Sequence, residues 1–252
     1  MSSSYYTLIR ALTISDFKLR YHDSVLGVFW SFLKPLFLFS VLYTVFSVFM
    51  RFPIPHYGLY LLLGIILWTF FTEATTLSLK GLAQKAPLIR KIYFPRSILI
   101  VSSTLIALIN LSANLCIFGL IFIFSGVHLS FSFLLVSIWI IELYIFALGC
   151  SLGLSALNVK FKDIEHIWDI LLPLGLWITP IVYSVDMVPA KYHWVFTLNP
   201  IANIVENVRN AVLGGPLPTA GSFIMITAVV LLIFALGYAL FQAYAPSFAE
   251  EL

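Results

Sequence analysis

The chain has 252 residues, of which 61% are hydrophobic and 10% charged, and its mean hydropathy is +1.03. These values lie far outside the range of soluble globular proteins, so we expect one all-α integral membrane domain over residues 1–252. The net charge is only +3 and the basic residues form separated clusters, which excludes the continuous basic face that a nucleic-acid partner requires.

The first predicted element is an amphipathic helix within residues 1–24. Tyr5, Leu8, Ile9 and Leu12 follow the i, i+3, i+4, i+7 spacing of one helix face. Charged residues are interspersed with this apolar face, so we expect the helix to lie in the cytoplasmic interface rather than to cross the membrane.

Six transmembrane helices are predicted to form a bundle over residues 25–244. A bilayer core about 30 Å thick needs roughly 20 apolar residues of helix, and the chain supplies six such runs. Residues 245–252 are the expected cytoplasmic tail. The predicted spans cover residues 26–50, 57–79, 97–124, 129–158, 166–183 and 221–244.

The distribution of lysine and arginine predicts the orientation of this bundle. Short loops rich in these residues stay on the cytoplasmic side of a membrane. With six spans, every lysine and arginine except Arg51, Lys191 and Arg209 falls on the side of the termini. We therefore expect a multi-pass protein with both termini in the cytoplasm.

A short outer or re-entrant helix is predicted between the fifth and sixth spans. Asn199 can cap this helix, Pro200 fits its first turn, and Gly214 can end it. Its length of about 20 Å is too short to traverse the hydrocarbon. The apolar face is marked by Ile201, Ile204, Val205, Val208 and Val212.

Three acids, Glu73, Glu142 and Asp169, fall inside or at the edges of predicted spans. Charge is costly in hydrocarbon, so such residues suggest a proton relay or an ion site, and a proton-coupled secondary transporter is one alternative function. A bond to a neighbouring Ser or Thr, or protonation, would account for Glu73 and Glu142 without any transport role. Asp169 lies close to the cytoplasmic end of its span.

The sequence predicts no catalytic residue, no metal site and no cofactor on this chain. The motifs GxxxxGK[ST], GxSxG and HExxH are all absent, so any ATP would be bound by another chain. Asp163, Glu165, His166 and Asp169 have some of the spacing of a metal site, but acids in the first turn of a helix are favoured by its dipole.

Gly149 and Gly153 form a GxxxG pair in the fourth predicted span. Such a pair lets helix backbones approach closely. Packing within the chain and dimerisation are equally consistent with it.

Two segments carry motifs that can be compared with known families. The first contains Arg20, Tyr21, Ser24, Leu26, Gly27, Trp30, Leu33 and Pro35. The second contains Phe161, Asp163, Ile164, Thr179, Pro180, Ile181, Tyr183, Val188, Pro189, Asn199 and Pro200. The first resembles the RYxxSxLGxxWxxLxP motif, and the second the FRDI, SPI and NP motifs, of membrane subunits of ABC transporters that export polysaccharides such as O-antigen, capsule and teichoic acid. Lys162 and Thr179 replace that family's usual Arg and Ser.

The resemblance implies a homodimer that encloses a channel in the bacterial inner membrane. It also implies two ATPase subunits that bind ATP and Mg²⁺, and an undecaprenyl-diphosphate-linked glycan as the cargo. In such exporters the N-terminal helix and the loop between spans two and three receive the ATPase motion, while spans one and five border the path. An exporter of the same family that carries a drug or a lipid is the nearest alternative.

Three sets of residues follow from the resemblance. The ATPase-coupling surface comprises Asp16, Lys18, Arg20, Lys85, Arg90, Lys91, Lys162 and Asp163. The channel-lining candidates are Trp30, Tyr43, Trp177 and Tyr183. The outer gate comprises Pro189, Asn199 and Pro200.

Overall fold

A computed structural model describes residues 2–22, 27–85, 94–127 and 131–248, and within these ranges the chain is helical without any strand. The predicted all-α class is therefore confirmed. Arg90 and Lys91 of the expected coupling surface lie outside the described residues, as do Ser24 and Leu26 of the first motif. The α-helices are α1 (Ser2–Tyr21), α2 (Trp30–Tyr43), α3 (Tyr57–Gln84), α4 (Ser97–Phe124), α5 (Val136–Lys160), α6 (Ile164–Ile178), α7 (His193–Thr197), α8 (Pro200–Leu213) and α9 (Ala220–Tyr244).

In the described part of the chain, five helical stretches are long and apolar enough to cross a bilayer, which makes this a multi-pass membrane protein. Each corresponds to one of the predicted spans. They are Gly27–Phe49, Tyr57–Leu82, Ser97–Phe124, Phe131–Lys160 and Ala220–Tyr244.

The fifth predicted span, 166–183, is helical only as far as Ile178. Helix α6 has 15 residues, about 22 Å, which is shorter than the hydrocarbon core. Thr179 is extended, with a ψ of 130°, because the following Pro180 disfavours the helical conformation in the residue before it. The count of six spans is therefore not confirmed by helix length.

The first span combines three kinds of helix. A 3₁₀ turn at Gly27–Phe29 leads into α2, which contains Pro35, and a π-helix at Thr44–Phe49 completes the span. Proline donates no backbone hydrogen bond inside a helix. Turns of π-helix are rare in proteins, and those that occur are often found at functional sites. Only 11% of the most apolar stretch of this span is buried within the molecule, whereas 72% of the corresponding stretch of α3 is buried. Helix α2 therefore lies at the outside of the molecule.

Helix α3 forms the centre of the molecule and packs against α2, α4, α5 and α8. Helices α5 and α9 approach each other closely, since a Cβ on Gly149 would lie 2.6 Å from the Phe234 Cα atom. A Cβ on Gly153 would lie 3.5 Å from the Gly237 Cα atom, and a Cβ on Gly237 would overlap the Gly149 carbonyl oxygen. The GxxxG pair is therefore used for packing within the chain.

The short helix predicted between the fifth and sixth spans is present as α8, and its position on the outer side of the membrane stays a prediction. The Asn199 side chain accepts hydrogen bonds from the Ile201 and Ala202 backbone N–H groups, at 3.1 and 3.3 Å. Pro200 occupies the first turn, and Gly214 ends the helix with a φ of 79°. The predicted apolar positions are buried: Ile201, Ile204, Val205, Val208 and Val212.

Candidate transport path and coupling surface

Helix α1 is joined to α3 by two ion pairs. Arg20 pairs with Glu73, and Lys85, just after α3, pairs with Asp16. Asp16 and Arg20 are four residues apart, so they lie on the same face of α1. The Asn110 side chain of α4 also donates a hydrogen bond of 2.8 Å to Glu73. This arrangement fixes α1 to the same end of α3 that carries Lys80 and Lys85.

A second set of ion pairs joins α3 to α6. The Lys80 Nζ atom lies 3.4 Å from the Glu165 Oε1 atom and 3.6 Å from the Asp169 Oδ2 atom. These groups are more than a third exposed, so the pairs add little to stability. They do determine which helices are adjacent. We refer to these residues together as the inner ion-pair cluster: Asp16, Arg20, Glu73, Lys80, Lys85, Glu165 and Asp169.

The structure brings together three residues of the expected coupling surface, Asp16, Arg20 and Lys85. The other described members, Lys18, Lys162 and Asp163, are exposed and have no ion pair with a described residue. Their expected role in coupling stays a prediction. Glu73 was not assigned to this surface from sequence, because 53 residues separate it from its partner Arg20.

A cavity of about 590 Å³ lies between α2 and α3, beside the inner ion-pair cluster. It contains two cations, Arg20 and Lys34, together with several hydroxyl groups and the indole of Trp30. Charged donors and hydroxyls of this kind bind phosphate oxygens, and aromatic faces suit sugar rings. The lining residues of this inner cavity are Arg20, Trp30, Ser31, Lys34, Pro35, Thr69, Thr72, Glu73, Thr76 and Leu77.

The four channel-lining candidates do not share one site. Trp30 lines the inner cavity, whereas Tyr43, Trp177 and Tyr183 lie near the opposite end of α3. The Tyr43 ring is stacked 6.2 Å from the ring of Tyr57, and the Tyr183 hydroxyl donates a hydrogen bond of 2.7 Å to the Trp177 carbonyl oxygen. These three residues lie among the aromatic side chains near the start of α3. Their expected position along a channel stays a prediction.

Arg209 of α8 is the largest fully buried side chain among the described residues, with 1% of it exposed. Its guanidinium donates hydrogen bonds to the carbonyl oxygens of Tyr60, Pro180 and Ile181, at 3.0, 2.6 and 2.7 Å. It also lies 3.5 Å from the centre of the Tyr60 ring, a cation–π contact. A Cβ on Gly64 would overlap the guanidinium, so the glycine makes room for it. We call this arrangement the outer clamp.

The outer clamp was not predicted from the sequence, in which Arg209 is one of three cations expected on the side of the membrane opposite the termini. The helical spacing does indicate burial of this side chain, because Arg209 is four residues after Val205 and three before Val212, next to the apolar face of α8. The Glu206 carboxylate lies 3.8 Å from the guanidinium.

The segments that resemble the SPI and NP motifs, which begin at Thr179 and Asn199, meet beside the outer clamp. The Asn199 side-chain amide donates a hydrogen bond of 3.2 Å to the Thr179 hydroxyl, which joins the break after α6 to the start of α8. Pro189 precedes a 3₁₀ turn, and its carbonyl oxygen accepts a hydrogen bond of 2.9 Å from Tyr192. Asn199 and Pro200 thus lie next to the break, and the gating role of all three residues stays a prediction.

Each intramembrane acid has a partner in the structure. Glu73 is held by Arg20, and Asp169 by Lys80. Glu142 of α5 accepts a hydrogen bond from the Thr227 hydroxyl of α9. Glu142 lies apart from the other two acids, and Glu73 and Asp169, although both belong to the inner ion-pair cluster, are paired with different cations.

The fold and the two ends of α3 define a multi-pass helical membrane protein with a polar cavity at one end and a clamped helix break at the other. The sequence profile of the membrane component of ABC-2 type transporters matches residues 7–213, and the chain belongs to this family.

Three relatives cover nearly the whole chain. The O-antigen export system permease protein RfbA of Klebsiella pneumoniae is 33% identical over 250 residues, 98% of this chain and 95% of the relative. RfbA of Myxococcus xanthus is 25% identical over 250 residues, 98% and 96% of the two chains. The polysialic acid transport protein KpsM of Escherichia coli is 24% identical over 241 residues, 93% and 92% of the two chains.

Proposed function

We propose that this chain is the membrane-spanning subunit of an exporter that moves a lipid-linked, O-antigen-like polysaccharide across the bacterial inner membrane, powered by a separate ATPase subunit. The observation that carries the proposal is the similarity over 98% of the chain to an O-antigen export permease. A second copy of the chain and two ATPase subunits, which bind ATP and Mg²⁺, complete the transporter.

In this proposal the chain crosses the membrane six times, with both termini in the cytoplasm. Helix α6 and the extended residues that follow it make the fifth crossing, and α8 returns part of the way from the outer side. The break at Thr179 and Pro180 supports this arrangement, because non-helical backbone at membrane depth must be enclosed by protein. The outer clamp supplies the required donors to the Pro180 and Ile181 carbonyl oxygens.

The inner cavity is the proposed receiving site for the diphosphate of the cargo. Arg20 and Lys34 provide positive charge on the side where both termini lie, and Trp30 provides a flat surface for the first sugar. Helix α1 contributes Arg20 to this cavity and is also paired with α3. Movement of α1 by an ATPase subunit would therefore alter the cavity directly.

The principal experiment is affinity purification of the chain from its native membrane in mild detergent. We expect a second polypeptide that carries GxxxxGK[ST], in roughly equal amount. In vesicles the pair should export the glycan only when ATP is present. Uphill export of the glycan by the chain alone would overturn the proposal.

Two other functions make distinct predictions. A drug or lipid exporter of the same family would recover the same ATPase partner but leave the lipid-linked glycan on the inner side. A proton-coupled secondary transporter would depend on the proton gradient and would not need the ATPase. The separate ion and hydrogen-bond partners of Glu73, Glu142 and Asp169 favour structural roles for these acids over a shared proton relay.

A further inference from the structure

Two cavities outside the proposed transport path meet along one side of α4. The first, about 360 Å³, lies between α1 and α4 and is lined by Tyr6, Ile9, Arg10, Thr13, Ile14, Leu105, Leu108, Ile109 and Ser112. The second, about 600 Å³, lies between α4 and α5 and is lined almost wholly by apolar side chains. Leu108 lines both cavities, so they are adjacent, and we refer to them together as the groove, with a polar end at α1 and an apolar end at α5.

The α4 side of this groove lies in the inner half of the bilayer, and its α5 side continues to Phe133 and Leu134 before the start of α5. Helix α4 has 28 residues, about 42 Å, so roughly 12 Å of it extends beyond a hydrocarbon core about 30 Å thick. Counting about 20 residues back from Phe124 places the inner boundary of the hydrocarbon near Leu105. Arg10 and Tyr6 then lie at headgroup level, and the groove from Leu105 to Leu115 extends about 15 Å into the hydrocarbon.

The polar end carries one uncommitted cation. Arg10 is exposed and forms no ion pair with any described residue, unlike Arg20 on the same helix. Thr13 is buried, and its hydroxyl has no hydrogen-bond partner in the part of the chain that the structure describes. A single positive charge above a lipid-facing apolar groove is complementary to a phosphodiester that carries one negative charge and an acyl chain.

We propose that this groove binds one phospholipid of the inner leaflet, with its phosphate at Arg10 and one acyl chain along α4 beside Leu108 and Ile141. The lipid would then contact α1, α4 and α5 together and hold α1 against the bundle. The assignment to the inner leaflet rests on the orientation given under Proposed function. The binding site itself does not require any particular cargo.

The test is native mass spectrometry of the purified full-length chain, titrated with dioleoylphosphatidylglycerol. We expect one tightly retained lipid per wild-type chain. Arg10→Gln should weaken binding about tenfold or more, because the charged hydrogen bond to phosphate is lost, and Arg10→Lys should retain most of it. Lys18→Gln removes one exposed charge from the same helix outside the groove, so lipid binding should be unchanged.

The apolar end is tested by a matched pair of tryptophans on α5. Ile141 lines the groove and is 57% exposed, so Ile141→Trp should block the acyl chain without disturbing the core. Ile138 is 41% exposed but does not line the groove, so Ile138→Trp should bind lipid normally. Equal lipid loss in Arg10→Gln and Lys18→Gln would overturn the proposal, as would displacement of the lipid by equimolar undecaprenyl phosphate. Neither outcome would contradict the proposed function, because glycan export is measured in a separate experiment.

Discussion

At the scale of single residues, the buried guanidinium of Arg209 determines how the break after α6 is held. The carbonyl oxygens of Pro180 and Ile181, in the non-helical segment after α6, take their hydrogen bonds from this one side chain, which also donates to the Tyr60 carbonyl oxygen of α3. Arginine suits the position because its planar group offers several donors in fixed directions, which a lysine ammonium cannot do.

Arg209→Met should therefore destabilise the protein strongly. The substitution keeps the length of the side chain but leaves the buried carbonyl oxygens of Pro180 and Ile181 without donors, at a cost of about 3 kcal/mol or more in the free energy of unfolding. The apparent Tm in detergent measures this loss. Arg51→Met is the matched control, since Arg51 is exposed, and a similar fall in its Tm would contradict the special role of Arg209.

Glu142→Gln tests whether an intramembrane acid takes part in transport. The amide oxygen can still accept the hydrogen bond of Thr227, so we expect normal folding and unchanged export. Export is measured as glycan on the outer surface of cells whose only copy carries the substitution. A severe loss of export with normal protein amounts would support the proton-coupled alternative.

At the scale of helices, α3 connects the two ends of the proposed path. Its Tyr60 and Gly64 form part of the outer clamp, and its other end is paired with α1 and α6. A rigid α3 would therefore transmit a displacement of α1 toward the break after α6.

Reversal of one charge between α1 and α3 should loosen α1. Asp16→Lys places two cations together at Lys85, and the double variant with Lys85→Asp restores an opposite pair. We expect the interaction to be worth about 1 kcal/mol, or roughly a fivefold change in the rate of proteolytic release of α1. If the double variant is released as fast as the single variant, α1 is not held by this pair.

The contact between α5 and α9 is sensitive to a single methyl group. Gly237→Ala would overlap the backbone of Gly149 and should cost about 1–3 kcal/mol, seen as a lower apparent Tm. Gly119 of α4 has no neighbouring atom within 4 Å of the position that its Cβ would take, so Gly119→Ala should cause no loss. Equal Tm values for the two variants would show that the close approach is not required.

At the scale of the whole molecule, the number of crossings decides which residues face the cytoplasm. Among the described residues, five helical stretches satisfy the length of a span, and the remaining proposed crossing, the fifth in chain order, depends on a 15-residue helix and the break that follows it. Lys162 and Lys191 lie on opposite sides of this segment, so their accessibility reports directly on the proposed topology.

Single cysteines at these two positions should label differently with a membrane-impermeant maleimide. In a chain whose native Cys116 and Cys150 are replaced by Ala, we expect Lys191→Cys to react in spheroplasts and Lys162→Cys to react only after lysis. Labelling of both from the same side would rule out a fifth crossing at α6.

Local patterns in the sequence were sufficient for five of the six predicted spans, the α8 caps and the family. Apolar runs exclude water-soluble folds, and Asn199, Pro200 and Gly214 act on their own neighbouring backbone. Pairings between distant residues were not predictable in this way. Arg20 with Glu73 and Arg209 with Tyr60 are 53 and 149 residues apart, so their partners depend on how the helices pack.

The sequence by itself determined that this protein is a bundle of membrane helices with a short capped helix between the last two predicted spans, because hydropathy and proline and glycine positions act locally. The tertiary structure decided how the break after α6, inside the fifth predicted span, is held. A guanidinium that reads as an exposed charge becomes buried, since only packing brings three carbonyl oxygens within its reach. It also decided that the GxxxG pair joins α5 to α9 rather than leaving both glycines exposed for another copy.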